Sequence, residues 1–195
     1  MSVWLHAVPG VGAALLACAV AGCAAPAPEA TASRIRSVAL PNADLEAEPA
    51  ADARCPPRWG CKSHADPNSH RFYLDESAPA GGKRSLCMER VTAEPWALAT
   101  VVSSDAALRG ARVRFSIDVR VDAPQGAGGS WILVHGPFGN LHHDQRVARG
   151  SHGWRRDAIE FTVAPNAVMV EVGATLEGAG RVCLDNARLE ILGAG

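Results

Sequence analysis

The chain has 195 residues, with 19 Lys and Arg against 20 Asp and Glu, a formal net charge of -1, and close to half of its residues hydrophobic. This balance, with no Lys/Arg cluster along the chain, argues against a nucleic acid partner and against a polybasic patch for anionic lipid. The length suits one ordinary domain with a real core. In chain order, the first element is the apolar run 11–22 (VGAALLACAVAG), about as long as the hydrophobic region of an export signal and too short to span a bilayer as a helix. From Ala24 to about Arg36 (AAPAPEATASRIR), Ala, Pro, Ser and Thr dominate, which predicts a flexible tether.

Strand signals then take over. In Ala111 to Val121 (ARVRFSIDVRV) the residues Val113, Phe115, Ile117, Val119 and Val121 alternate with polar ones, the pattern of a half-buried strand. The same reading covers Ala158 to Val163, Val168 to Val172 and Val182 to Leu192. Further strands are predicted at Ser37 to Leu40, Arg71 to Leu74, Ser85 to Val91, Ala97 to Ser103 and Trp131 to His135. Gly- and Pro-rich breaks fall at Ala78 to Gly82, Pro124 to Gly129 and Gly136 to Gly139. With no long amphipathic helical pattern, these elements predict an all-β sandwich or jelly roll.

The stretch Val20-Ala21-Gly22-Cys23 closes the apolar run and resembles a bacterial lipobox, with Cys18, after Leu15-Leu16-Ala17, as a second cysteine of the same kind. The resemblance implies that residues 1–22 are a signal peptide cleaved before Cys23. It further implies diacylation of the Cys23 thiol and acylation, by palmitate or a similar chain, of its new amino group. Residues 23–36 would then be a lipid-anchored tether and 37–195 the exported domain. Ala24, where an Asp would suggest inner-membrane retention, favours the outer membrane of a bacterial envelope.

Of the 6 cysteines, setting aside Cys18 and Cys23 leaves Cys55, Cys61, Cys87 and Cys183, an even set suited to an oxidising compartment. Cys55 and Cys61 would close a short loop around Pro56-Pro57, and Cys87 and Cys183 each fall in a strand-like run. The favoured pairing is therefore Cys55 with Cys61 and Cys87 with Cys183. A four-cysteine zinc site competes poorly, because the gaps are wide and no Cys-x2-Cys occurs.

Seven motifs follow one another down the chain: Asn42-Ala43-Asp44-Leu45-Glu46, Pro57-Arg58-Trp59, Gly81-Gly82-Lys83-Arg84-Ser85-Leu86, Leu108-Arg109-Gly110 with Val113, Phe115 and Ser116, then Gly153-Trp154, Phe161-Thr162-Val163, and Leu184-Asp185-Asn186-Ala187 with Leu189-Glu190. Their order and spacing resemble the galactose-binding-like β-sandwich found in carbohydrate-binding modules, over roughly Val38 to Leu192. The resemblance implies a jelly roll of about eight to ten antiparallel strands. It also implies that the strand carrying Cys87 lies near the last strand, which supports the second disulfide. In similar modules a structural calcium joins the first and last strands, and Glu46 and Asp185 stand at the matching positions.

Five tryptophans against a single Tyr leave stacking surface available for sugar rings. Trp131 opens a predicted strand and is followed by His135 and by His142-His143-Asp144, which, with Trp96, make up the expected ligand-binding set. Trp59 and Trp154 read as structural. Imidazoles and a carboxylate at 135 and 142–144 also suit a transition metal, but adjacent histidines on a strand face opposite ways unless the chain turns there. Catalysis is weakly indicated: Ser63-His64, Ser69-His70 and Ser151-His152 are neighbours without a nucleophile elbow. The expected function is a non-catalytic envelope lipoprotein that binds a carbohydrate or other envelope component. A protein-binding or structural module is the second reading.

Overall fold

The computed structural model describes residues 35–51 and 53–193. The segment expected to be a signal peptide, Cys23 with its expected acylation, and the expected tether up to residue 34 lie outside the described residues. Eleven strands form two antiparallel sheets: β1 (Arg36–Val38), β2 (Gly60–Ser63), β3 (His70–Asp75), β4 (Ser85–Arg90), β5 (Trp96–Ser103), β6 (Arg112–Asp122), β7 (Ala127–Gly136), β8 (Gly139–Arg149), β9 (His152–Thr162), β10 (Met169–Glu177) and β11 (Arg181–Ile191). The first sheet runs β3-β4-β11-β6-β9 with β1 also on β11, and the second runs β2-β5-β10-β7-β8. Apart from the β3–β4 and β7–β8 pairs, strands consecutive in the chain are split between the layers, so the core closes only when distant segments meet.

The period-two pattern sets which side chains enter the core. Val113, Phe115, Ile117, Val119 and Val121 of β6 are all buried, as their alternation predicts, and face Val170, Val172, Ala174 and Leu176 of β10 across the sandwich. Full burial of such side chains contributes roughly 1.5–3 kcal/mol each. Both favoured disulfides are present: Cys55–Cys61, and Cys87–Cys183 joining directly opposed residues of β4 and β11.

Several predicted boundaries change. The first strand begins at Arg36, where the tether was expected to end. Strand β7 starts at Ala127, inside the glycine run read as a break. The segment after Gly139 forms the 11-residue strand β8, paired with β7 through a hairpin at Pro137-Phe138, where a loop was expected. This strand was invisible to alternation because it is an edge strand: all its side chains are exposed or half-buried, and no apolar face is selected. The short strand β2 also carried no hydrophobic pattern.

Candidate functional site

Outward-facing residues of the second sheet form the groove. On β5 these are Trp96, Leu98, Thr100 and Val102; on β10, Glu171, Gly173, Thr175 and Glu177; on β7, Gly129, Trp131, Leu133 and His135; on β8, His143 and Gln145. A groove of about 430 Å³ is lined by Trp96, Leu98, Trp131, Leu133, Asn140, His143, Gln145, Thr175 and Glu177. Trp131 lies down against the sheet with 8% of its surface exposed, and the His143 ring is tilted over it with centroids 5.5 Å apart. Trp96 is half-buried and steadied edge-on by His64 at 5.3 Å. His64 Nδ1 is in turn hydrogen-bonded to Glu94 Oε2 at 3.0 Å.

Polar groups border the two indoles. Gln145 Nε2 donates to Glu177 Oε1 at 2.9 Å, crossing the position of Gly129, where an added Cβ would collide with the Arg146 carbonyl. The result is flat apolar surface with amide, carboxylate, hydroxyl and imidazole groups beside it, the chemistry needed to stack a sugar ring and orient its hydroxyls.

A second cluster occupies the same face. Glu171, 4% exposed, accepts from Thr100 Oγ1 at 2.6 Å and Lys62 Nζ at 3.0 Å, and shares a 2.9 Å hydrogen bond with His135 Nε2. Burial by itself would push this carboxyl up, but the bonds from Thr100, Lys62 and His135 outweigh it and hold the group below the usual glutamate range.

The expected ligand residues therefore separate. Trp131, Trp96 and His143 converge on the groove. His135 shares its sheet face but turns to Glu171. His142 points to the opposite side of β8 and stacks on Phe161, with centroids 5.7 Å apart. Asp144 shares that side, and its Oδ1 accepts from the Gln145 backbone N–H at 2.7 Å. Because β8 is a strand and not a turn, His135, His142, His143 and Asp144 do not gather around one ion. Gln145, Glu177, Thr175 and Asn140 escaped sequence reasoning, since only the register of β8, β7 and β10 brings them together.

The tryptophans read as structural are anchored to backbone: Trp59 Nε1 donates to Asn42 O at 2.8 Å and Trp154 Nε1 to Ala78 O at 3.0 Å. With Cys55, Cys61, Cys87 and Cys183 in disulfides, no thiolate set remains for zinc among the described residues. The grouping of Asp75 with Cys87 and Cys183 offers only disulfide sulfurs, which do not ligate as thiolates do. Ser69 and His70 are hydrogen-bonded at 2.9 Å, yet both are buried and the Ser69 hydroxyl donates to Asp66 O at 2.6 Å, so no nucleophile is presented.

Glu46 and Asp185 do meet on one loop, but as acceptors of its N–H groups. Asp185 Oδ2 accepts from Ala80 and Gly81, each at 3.0 Å, its Oδ1 from Asn186 at 2.7 Å, and Glu46 Oε1 from Lys83 at 2.7 Å and Arg84 at 3.2 Å. A calcium site needs those oxygens turned to the ion together with carbonyls. As arranged, these carboxylates do not fit one; backbone donors take the place that the cation would fill in fastening the loop.

No protein-family model and no curated protein matches this chain. Solved structures do. The family 22 carbohydrate-binding module of Clostridium thermocellum Xyn10B superposes with a TM-score of 0.55 at 17% identity, over 71% of this chain and 88% of that one. A xylan-binding domain of the same module family gives 0.55 at 15% identity, over 71% and 90%. The enzymatically active domain of tailspike protein 4 of bacteriophage CBA120 gives 0.57 at 13% identity over 70% of this chain, which spans only 19% of that longer one. The fold is thus the β-sandwich shared by carbohydrate-binding modules, and identity this low carries the fold alone.

Proposed function

We propose that this protein is a non-catalytic carbohydrate-binding domain of the bacterial envelope, held by lipid on Cys23 at the outer membrane and taking a glycan in the Trp96/Trp131 groove. The observation that carries the reading is the convergence of the two indoles and His143 with the Gln145–Glu177 pair on one open sheet face. The similar modules include a xylan-binding domain, so xylan is the first polymer to try, followed by envelope and host glycans. Affinity electrophoresis over such a panel should retard the wild type on at least one polymer. Trp96→Ala, which leaves Trp131 in place, should lose about tenfold in affinity, from an aromatic contact contributing roughly 1.4 kcal/mol. Absence of retardation on every polymer, or a Trp96→Ala variant as tight as wild type, sinks the reading.

The lipid assignment has its own test, labelling with a palmitate analogue that Cys23→Ser should abolish. A protein partner at the envelope is the second reading, favoured by Phe138, which stands wholly exposed at the β7–β8 hairpin tip with Leu141 exposed nearby on β8. Capture of a partner that Phe138→Ser loses and Trp96→Ala keeps would support it.

A further inference from the structure

Among the described residues, four non-glycine positions have positive φ: Asn42 (51°), Leu45 (61°), Arg58 (72°) and Asn186 (51°). Asparagine tolerates this region, and Leu45 is fully buried in the core, where packing accounts for it. Arg58 has neither excuse: its side chain is exposed, and glycine would adopt the same backbone without strain. A residue so placed persists where its surroundings fix the backbone, and such positions cluster at ligand-binding sites.

The surroundings do fix it. The Cys55–Cys61 disulfide closes the loop, Trp59 N donates to Pro56 O at 3.1 Å, Asn42 Nδ2 to Pro57 O at 3.1 Å, and the Trp59 indole to Asn42 O at 2.8 Å. Arg58 lies two residues before Gly60, which pairs with Thr100. It lines an open groove of about 530 Å³ with Pro41, Val102, Ser103, Asp105 and Met169. Among the described residues the Arg58 guanidinium has no ion-pair partner. The acid in the groove, Asp105, is already held by Arg36 at 3.6 Å and by the Ala107 N–H at 2.9 Å.

We infer that this groove is a subsite for an anionic group carried on a saccharide, a uronic carboxylate or a sugar phosphoryl. A guanidinium presents a rigid fork that matches either oxyanion, and Val102, 44% exposed, with Met169 offers apolar surface for the ring. The inference rests on the carbohydrate reading above, because β5 contributes Trp96 and Leu98 to the first groove and Val102 to this one.

The test is NMR of the 15N-labelled full-length protein, titrated at matched ionic strength with glucuronate, glucose 6-phosphate, glucose or sodium chloride. The Arg58 Nε–H signal should move with at least one anionic sugar and not with glucose or chloride; comparing the two anionic sugars separates a carboxylate source from a phosphoryl one. Arg58→Gly should weaken that sugar at least tenfold without lowering Tm, since it relieves the backbone, and Arg58→Gln should weaken it equally while keeping the Cβ. No movement with either anionic sugar, equal movement with chloride, or full affinity in both variants overturns the inference. The indole N–H signals of Trp96 and Trp131, titrated with neutral xylo-oligosaccharide, report the first groove separately, so either site can fail alone.

Discussion

Gln145 of the edge strand β8 and Glu177 of the inner strand β10 are joined at 2.9 Å across β7, and the Cα of Gln145 is the direct cross-strand partner of Trp131. The pair ties the free edge of the second sheet to its middle and helps keep Trp131 at 8% exposure. Gln145→Ala should therefore expose the indole at a stability cost of about 1 kcal/mol, one half-buried hydrogen bond. Acrylamide quenching of Trp131, isolated in a background with Trp4, Trp59, Trp96 and Trp154 all replaced by Phe, should rise; unchanged quenching would mean that other neighbours shield the ring.

Glu171 predicts an acid-labile sheet. Its carboxyl is held low in the folded state, so its stabilisation is complete above the ordinary glutamate value of 4.5 and is lost as pH falls through the lower folded value. Urea unfolding should show Glu171→Gln roughly 1–3 kcal/mol less stable than wild type at neutral pH, with the gap closing as the pH drops below that range. A gap independent of pH would remove the carboxylate from the account.

Asp185 titrates in the opposite sense. Burial, the largest influence, raises its carboxyl against the opposing N–H bonds of Gly81, Asn186 and Ala80, so the stability linked to this group is full at low pH and is lost as pH rises through the raised folded value. Asp185→Asn keeps an acceptor for the loop and should be tolerated, whereas Asp185→Ala strands the Ala80 and Gly81 N–H groups at a cost of about 1–3 kcal/mol. Because those donors already occupy the carboxylate, Tm should be the same in calcium and in EDTA. A rise in Tm with calcium would show that the loop rearranges around the ion.

The two disulfides should differ in weight. Cys87–Cys183 spans 96 positions and Cys55–Cys61 only 6, so the chain-entropy model assigns them about 4.7 and about 2.4 kcal/mol. Urea unfolding of Cys87→Ser/Cys183→Ser and of Cys55→Ser/Cys61→Ser should rank in that order. The reverse order would show that fastening the loop at Arg58 matters more than chain entropy.

The sequence made the core strands legible wherever one face is buried and the other wet, as in β6, where five alternating apolar residues all enter the core. It hid β8, because an edge strand exposed on both faces selects no pattern. The aromatic half of the groove could be nominated from residue type: Trp96, Trp131 and His143 carry surface that few other residues supply. Gln145, Thr175 and Glu177 could not, since nothing marks a Gln or Thr as ligand-facing until the register of non-consecutive strands is known. His142 shows the converse, where a suggestive residue pair is divided by the pleat of a strand.

Strand β1 docks on β11 in the first sheet, with Arg36 opposite Ile191, so the chain enters the domain on the layer that does not carry the groove. A sensor chip or bead coupled ahead of Ile35 would meet that layer and leave the groove lined by Trp96 and Trp131 open to the solution. Coupling through Lys62, whose ammonium holds Glu171 on the groove-bearing sheet, would instead press the binding face against the support. A negative result from randomly amine-coupled protein would thus speak to orientation before it spoke to affinity.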